Sequence, residues 1–211
     1  MRRFPQEKKH LLISFEGGEG AGKTTLLQRV HEEFKRHEKP VLLTRAPGST
    51  MTGELIRHLL LHHDEKDIST RCELFLFLAD RAQHVEQVIR PALLNHTIVL
   101  CDRFNDSTVA YQGGARGFDP TWVRQLCHFA TQDLEPNFTL YLDIDPLLAL
   151  QRVQRSKDRI EKEDLTFHQK IRAAYLEIAK KEPKRFHVLD ASQEPDTVFR
   201  QALSVLDTHW E

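Results

Sequence analysis

The segment from Gly17 to Thr24, near the start of the chain, most constrains the fold. It reads Gly-Gly-Glu-Gly-Ala-Gly-Lys-Thr and matches the pattern G-x-x-x-x-G-K-[ST] at every position. An apolar run at 11–15 precedes it, and apolar residues at helical spacing over 26–34 follow it. A strand, a glycine turn and a helix start in this order surround one anion with backbone N–H groups. The alternative, a glycine-rich turn that matches by chance, does not account for both flanks.

The motif predicts a loop that binds the phosphates of a nucleoside triphosphate. The lysine of such a loop reaches the terminal phosphates, and the hydroxyl group that follows it holds Mg²⁺. The predicted binding residues are Gly17, Gly18, Glu19, Gly20, Ala21, Gly22, Lys23, Thr24 and Thr25.

Composition excludes several other classes of protein. The 211 residues include 30 lysines and arginines against 31 acidic residues, so no global field attracts nucleic acid or a membrane surface. The three cysteines (Cys72, Cys101 and Cys127) are widely spaced, which indicates neither a disulfide framework nor a zinc site. No apolar run approaches the length that spans a membrane. We expect a soluble cytoplasmic protein with no nucleic-acid or membrane partner, in which residues 1–9 form a frayed extension.

Short apolar runs alternate with longer amphipathic segments along the chain. The runs at 11–15, 41–43, 97–101, 138–143 and 185–190 predict strands, and the segments between them predict helices, including one long helix over 70–94. Strands that alternate with helices favour a parallel sheet with helices on both faces. We therefore predict one α/β domain over residues 1–211.

A second chemical feature is the pair Asp102 and Arg103, directly after the apolar run that ends at Cys101. An aspartate at the carboxyl end of a strand beside a phosphate loop is the group that organises Mg²⁺ in such folds. The adjacent guanidinium keeps its charge at any accessible pH, which indicates a nearby anion. The alternative is an aspartate that caps the next helix beside a solvated arginine.

From Asp102 to Gly117 the chain reads DRFNDSTVAYQGGARG, which resembles the signature segment of the thymidylate kinase family. Further segments at corresponding places also resemble the family. They are Phe15–Thr25, Thr44–Gly48, Leu78–His84, Leu140–Asp143 and Asp158–Glu161. The ordered matches cover nearly the whole chain, which makes the resemblance far more specific than the phosphate loop alone.

The resemblance implies a P-loop nucleoside monophosphate kinase fold: a five-stranded parallel sheet, flanking helices and a short mobile lid at about residues 152–162. It implies transfer of a phosphoryl group from ATP, with Mg²⁺, to thymidine monophosphate, for the supply of thymidine triphosphate to DNA synthesis. It also implies a homodimer. The acceptor phosphate oxygen is already ionised at neutral pH, so no general base is required.

The resemblance also implies roles for individual residues on the acceptor side. Arg45 and Arg103 would bind the acceptor phosphate, and Glu19 would lie near it and the sugar. Phe77 would stack on the base and Arg81 would bind near it, although Phe77 alone would fit an ordinary core position. The residues that would read the base edge and the deoxyribose are Ser107, Thr108, Tyr111 and Gln112.

Basic residues cluster in the expected lid. They are Arg152, Arg155, Lys157 and Arg159, and at least one of them is expected to be solvated. Some family members carry an arginine in the phosphate loop where this chain has Gly20, so a lid cation is expected to stabilise the transferred group. Arg155 is the first candidate and Arg159 the second. Asp158 and Glu161 would orient the lid on the acceptor side.

Three positions depart from the family pattern, and three other functions are disfavoured by the sequence. Ala46, Ser49 and Phe104 stand where other members often carry glutamate, glycine, and tyrosine or histidine. Another nucleotide kinase would differ in its acceptor, which the Tyr111-Gln112 segment disfavours. A GTPase switch requires an Asn-Lys-x-Asp guanine-binding motif, and the chain contains no Asn-Lys pair. A catalytically inactive regulator is disfavoured because Lys23, Asp102 and Arg103 are intact.

Overall fold

The strands and helices alternate as the sequence predicts. The computed structural model describes residues 11–62, 68–152 and 158–206. Its strands are β1 (Leu12–Gly17), β2 (Val41–Arg45), β3 (Ile98–Asp102), β4 (Phe138–Asp143) and β5 (Phe186–Asp190). Its helices are α1 (Lys23–Arg36), α2 (Met51–His62), α3 (Thr70–His84), α4 (Arg90–Leu94), α5 (Asn105–Thr108), α6 (Pro120–Thr131), α7 (Pro146–Gln151), α8 (Leu165–Lys181) and α9 (Pro195–Leu206).

The strands form one parallel sheet in the order β2-β3-β1-β4-β5. Backbone pairing places Asp102 of β3 beside Phe15 of β1 and Arg45 of β2, so the carboxyl ends of the three strands share one edge. Strand β4 lies on the other side of β1 and pairs Leu142 with Gly17. Ligands of open α/β sheets bind at the carboxyl edge where the strand order reverses, which here is β1. The predicted five-stranded parallel sheet with flanking helices is confirmed.

The two faces of the sheet are covered by different helices. Helices α1 and α9 pack on one face, where Phe15 and Leu140 belong to the same buried cluster as Val30 and Ala202. Helices α3, α6 and α8 cover the other face, where Tyr141 stacks on Tyr175 with ring centroids 4.6 Å apart. Strand β1 is buried over its whole length, as expected for a central parallel strand. This burial fixes the loop that follows β1 at the middle of the sheet edge.

Two helical predictions differ from the structure in detail. The predicted helix over 70–94 consists of α3 and α4 with a π-helical turn, Val85–Ile89, between them. The helix expected around Ser107 is α5, and it continues into a π-helical segment, Val109–Ala115. A π-helical turn accommodates one more residue than an α-helical turn, and apolar spacing alone does not reveal it. Other boundaries within the described residues differ by one to a few residues, as helix and strand ends commonly do.

Within the described ranges, no helix combines the length and the apolar character that crossing a membrane requires.

Candidate active site

The phosphate loop connects β1 to α1 at the centre of the sheet edge. Gly17, Gly20 and Gly22 have φ values of 148°, 75° and 92°, in the region that favours glycine. Helix α1 begins directly after Gly22, so its first N–H groups face the space above the loop. The Lys23 ammonium is buried against the loop and donates to the carbonyl oxygens of Gly17 (3.1 Å) and Gly18 (2.8 Å). The loop therefore has the backbone and the cation that phosphate binding requires.

Three charged groups meet above this loop. The Arg103 guanidinium forms an ion pair with the Glu19 carboxylate, and both side chains are mostly buried. Burial opposes the charge of Glu19, but Lys23 and Arg103 together outweigh burial and hold the pKa of this carboxyl well below its usual range. Burial and the Arg103 charge lower the pKa of Lys23. Glu19 is therefore ionised, and it compensates the concentration of positive charge.

Arg103 adopts a backbone conformation that is uncommon for a side-chain-bearing residue, with φ at 71°. Its N–H donates to the Phe15 carbonyl oxygen at 3.0 Å. Its guanidinium donates to Ser107 Oγ at 3.2 Å and lies over the Tyr111 ring, 5.1 Å from the centroid. Such strained positions cluster at functional sites, where surrounding contacts maintain them. The left-handed turn directs the arginine from the end of β3 toward the phosphate loop.

Glu16 lies beneath the pair and was missed from the sequence. Its fully buried carboxylate accepts hydrogen bonds from Phe104 N–H (2.6 Å), Ser107 Oγ and Tyr175 OH (2.9 Å). Burial, with the nearby Asp106, raises the pKa of Glu16. A usable signal was present, because an acidic residue in an otherwise buried parallel strand requires partners. Ser107, predicted to face the substrate, lines the cleft while it donates to Glu16.

A cleft of about 950 Å³ extends from the phosphate loop across the ends of β2 and β3. This volume suits a substrate of nucleotide size. The predicted residues that line it are Glu19, Gly20, Gly22, Lys23, Thr24, Thr25, Arg45, Phe77, Arg81, Asp102, Arg103, Ser107, Thr108, Tyr111, Gln112 and Asp158. Gly18 instead faces a small second cavity behind the loop.

At the β2 end of the cleft, a turn through Gly48 carries polar and charged groups. Arg45 donates to the Glu54 carboxylate at 2.9 Å, and both side chains are half exposed. The Gly48 N–H donates to Asp80 Oδ1 at 2.9 Å, and burial raises the pKa of Asp80 to about 6. Arg57 also lines the cleft and donates to the Pro47 carbonyl oxygen at 2.9 Å. Arg57 was missed because an arginine in the middle of an amphipathic helix carries no distinguishing pattern.

Helix α3 supplies the other wall of the cleft through Phe77 and Arg81. Phe77 is half-buried at its margin. The buried Arg81 guanidinium donates to the carbonyl oxygens of Arg103 (3.2 Å) and Phe104 (3.1 Å). Its Nε is buried and has no hydrogen-bond partner among the described residues. Arg81 therefore fixes α3 to the turn after β3, and its Nε–H donor stays unpaired among the described residues.

A buried ionic cluster closes the cleft below Gln112. Glu73, 1% exposed, accepts from Gln112 Nε2 (3.0 Å), from Arg116 Nε (2.9 Å) and from Arg159. Burial opposes the charge of Glu73, but the two arginines outweigh it and lower the pKa of this carboxyl. Glu73 was missed, because an acidic residue in the first turn of a helix is ordinarily explained by the helix dipole.

The predicted lid residues occupy different places. Arg159 is buried and donates to the Leu60 carbonyl oxygen at 2.9 Å as well as to Glu73, so the structure does not bring it to the phosphate loop. Asp158 Oδ1 accepts from Glu161 N–H, and Glu161 Oε2 accepts from Asp158 N–H, both at 2.9 Å. Arg155 and Lys157 lie outside the described residues. Arg152 lines the cleft and donates to the Ala191 carbonyl oxygen at 3.1 Å.

Asp102 and Thr24 both line the cleft beside the phosphate loop. Asp102 Oδ1 is buried and has no hydrogen-bond partner among the described residues. A carboxylate oxygen and a hydroxyl group are hard oxygen donors of the type that Mg²⁺ prefers. The donor set therefore fits a magnesium ion.

Comparison with known proteins agrees with this geometry. The family model described as thymidylate kinase matches residues 15–202. The thymidylate kinase of Protochlamydia amoebophila is 44% identical over 96% of this chain and 94% of its own length. That of Magnetococcus marinus is 47% identical over 86% of this chain and 88% of its own length. The crystal structure of thymidylate kinase from Ehrlichia chaffeensis superposes with a TM-score of 0.75 at 33% identity, covering 93% of this chain and 98% of that one.

Helix α7 packs so closely on the phosphate loop that Gly20 has no room for a side chain. A Cβ atom at Gly20 would lie 2.0 Å from the Ala149 carbonyl oxygen. We therefore expect Gly20→Ala to cost about 1–3 kcal/mol, from overpacking and a left-handed backbone. For a domain of this size that lowers Tm by roughly 2–4 °C per kcal/mol, measurable by thermal unfolding followed by circular dichroism.

Gly18→Ala is the matched control, because a Cβ atom there meets nothing within 4 Å. Equal Tm values for the two variants would show that the contact with α7 does not restrict the loop.

Proposed function

The chain belongs to the thymidylate kinase family and is a kinase, and we propose that it transfers the terminal phosphoryl group of ATP to thymidine monophosphate. The products are ADP and thymidine diphosphate, which supplies thymidine triphosphate for DNA synthesis. The observation that carries the proposal is the Arg103–Glu19 ion pair, which lies between a phosphate-binding loop and a cleft wall that contains Phe77 and Gln112. One cleft therefore offers a donor end, an acceptor-phosphate site and a base site.

At the donor end, the loop and the start of α1 bind the phosphates of ATP through backbone N–H groups. The Lys23 ammonium, which donates to two carbonyl oxygens of the loop, can stabilise the negative charge that develops on the transferred group. Thr24 and Asp102 would hold a Mg²⁺ ion, which would supply charge neutralisation at the phosphates. The loop binds and orients the donor, and the buried surroundings of Lys23 strengthen its interaction with phosphate.

At the acceptor end, Arg103 and Arg45 bind the phosphate of thymidine monophosphate. Guanidinium groups bind phosphate in a bidentate manner, and Arg103 is already directed toward the loop by its turn and by Glu19. The acceptor oxygen attacks in line and needs no base, because it is ionised at neutral pH. Catalysis is therefore positioning and charge stabilisation rather than covalent chemistry.

At the base end, Phe77 stacks on thymine, and Arg81 and Thr108 lie along the base edge. Arg81 lines the cleft, and its guanidinium can donate to a carbonyl oxygen of the base. Tyr111 packs beneath Arg103, and it fills the space that a ribose 2′-hydroxyl would require. These contacts favour a pyrimidine deoxynucleotide over a ribonucleotide.

The lid supplies the remaining positive charge over the transferred group. Arg155 is the proposed cation, since Gly20 leaves the loop without an arginine and the Arg159 guanidinium is bound to Glu73. Asp158 and Glu161 hold the base of the lid by reciprocal hydrogen bonds. We propose that the chain forms one kinase domain with its lid at residues 152–162. We also propose that the enzyme is cytoplasmic, which fractionation of cells can test.

The enzyme is proposed to act as a homodimer. Helices α2 and α3 pack against each other and expose large apolar side chains: Met51 (85% exposed), Leu55 (67%) and Phe75 (58%). Exposed apolar groups of this kind mark interaction surfaces. The acceptor-side residues Phe77 and Arg81 lie on the same helix as Phe75, so a dimer contact there would also support the site.

A panel of nucleoside monophosphates tests the proposed reaction. ADP release with ATP and Mg²⁺ should be fastest with thymidine monophosphate, slower with deoxyuridine monophosphate and near background with AMP or GMP, because Phe77, Arg81 and Gln112 line the cleft where the family resemblance implies a thymine site. Lys23→Ala should abolish turnover with each acceptor, and a chelator should do the same. Comparable rates with purine monophosphates would overturn the assignment of the acceptor.

Kinetics of a lid variant test the source of the transition-state cation. Arg155→Ala should lower kcat on the order of 10³-fold, with a smaller change in KM for either substrate, because the charge is needed as the phosphoryl group transfers. The exposed Arg36→Ala, in α1, is the control and should keep wild-type kcat. Wild-type kcat in Arg155→Ala would remove the role from this residue and direct attention to Arg152, which lines the cleft.

Sedimentation equilibrium tests the dimer. Wild-type protein should sediment at twice the chain mass, and Leu55→Glu should shift it to the monomer, because a charge would be buried at the α2–α3 surface. Leu94→Glu, at the exposed end of α4, is the matched control and should stay dimeric. A wild-type monomer at micromolar concentration would exclude the proposed assembly.

A further inference from the structure

Glu73 lies where it can influence which base the cleft accepts. This inference assumes the proposed reaction and adds a role for a residue outside the cleft. Glu73 lies in α3, one turn before Phe77, and is 1% exposed. Its carboxylate receives hydrogen bonds from three separate parts of the chain: Gln112, Arg116 and Arg159. No contact of Glu73 with a substrate is needed for its effect, because it acts through Gln112.

The side-chain amide of Gln112 has one donor end and one acceptor end. An ionised carboxylate can only accept hydrogen bonds, so the end of the amide that lies 3.0 Å from Glu73 Oε1 must be the NH₂ group. The two arginines keep Glu73 ionised through direct ion pairs. The orientation of the Gln112 amide is therefore determined by charge and does not depend on the substrate.

This orientation leaves Oε1 as the amide atom available to the cleft. Gln112 lines the cleft, and Oε1 accepts no hydrogen bond from any residue in the described ranges. The backbone of Gln112 is also held, since its carbonyl oxygen accepts from Phe118 N–H at 3.1 Å. The site thus presents a fixed acceptor to the base edge.

Thymine and uracil carry a hydrogen on N3, which can donate to such an acceptor. Cytosine has a lone pair at N3 and an amino group at C4, so its N3 would face the Gln112 oxygen with no hydrogen between them. A buried acceptor that a ligand leaves unpaired costs affinity, and sites of this kind discriminate strongly between analogues. We propose that Glu73 is a positioning residue that selects thymine over cytosine by fixing the direction of the Gln112 amide.

The test compares kcat/KM for thymidine, deoxyuridine and deoxycytidine monophosphates in wild type and Glu73→Gln. A glutamine at 73 can donate as well as accept, so the Gln112 amide is free to turn. The preference for thymidine over deoxycytidine monophosphate should fall by about tenfold or more. The preference for thymidine over deoxyuridine monophosphate should stay unchanged, because both bases carry the N3 hydrogen.

Glu163→Gln is the matched control. Glu163 pairs with Arg116 from the outer side of the cluster and has no hydrogen bond to Gln112 among the described residues, so its loss weakens the cluster without freeing the amide. It should leave both preferences at wild-type values. If Glu73→Gln changes both preferences in parallel, or neither, the effect is merely structural and the proposal is overturned.

Gln112→Leu provides an independent measurement if Glu73→Gln does not fold. It keeps the arginine contacts of Glu73 and removes the acceptor, so thymine should lose its advantage over cytosine. Retention of the wild-type preference in Gln112→Leu would overturn the proposal. The wild-type panel distinguishes failure of the proposed reaction from failure of this inference. If wild type does not phosphorylate thymidine monophosphate, the proposed reaction is refuted. If wild type does so and the variants keep its base preferences, only the role of Glu73 is refuted.

Discussion

The buried carboxylate of Glu16 joins the parts of the molecule on which the site depends. It lies in β1, one residue before the phosphate loop, and binds the backbone after β3 through Phe104 and the side chain of Tyr175 from α8. The phosphate loop and the turn that carries Arg103 are thereby held at a fixed distance from each other. Each carboxylate oxygen accepts from two donors, so removing one donor weakens a buried network without leaving an oxygen unpaired, at a cost of about 0.5–1.5 kcal/mol.

Charge above this junction is arranged in compensated pairs. Two cations, Lys23 and Arg103, lie close enough that burial and mutual repulsion lower the pKa of the lysine. Glu19 reduces the repulsion and so permits both to remain beside a site for phosphate. These cations are already partly desolvated in the folded protein, so binding a phosphate there requires less further desolvation. The same principle operates in the cluster around Glu73, at the base end of the cleft.

Sequence reasoning was most successful where a pattern repeats locally. The strands, the sheet class and the phosphate loop follow from apolar runs and a fixed glycine spacing, because burial and turn geometry act within a few residues. The direction of a long side chain depends instead on partners far along the chain. Arg159 belongs to a matching motif, yet its guanidinium is directed to Glu73, 86 residues away. The hydrogen bonds of Glu73 also join distant parts of the chain. A motif identifies residues that are neighbours in sequence, but not the atoms that their side chains contact.

The close packing of α7 on the phosphate loop limits which residues the loop can accept at position 20. The Ala149 carbonyl oxygen occupies the place of any side chain at Gly20. An arginine at this position would first have to displace a helix, so the substitution alone is expected to give a less stable protein. The residue at position 20 and the position of α7 are therefore coupled, and neither can change without the other.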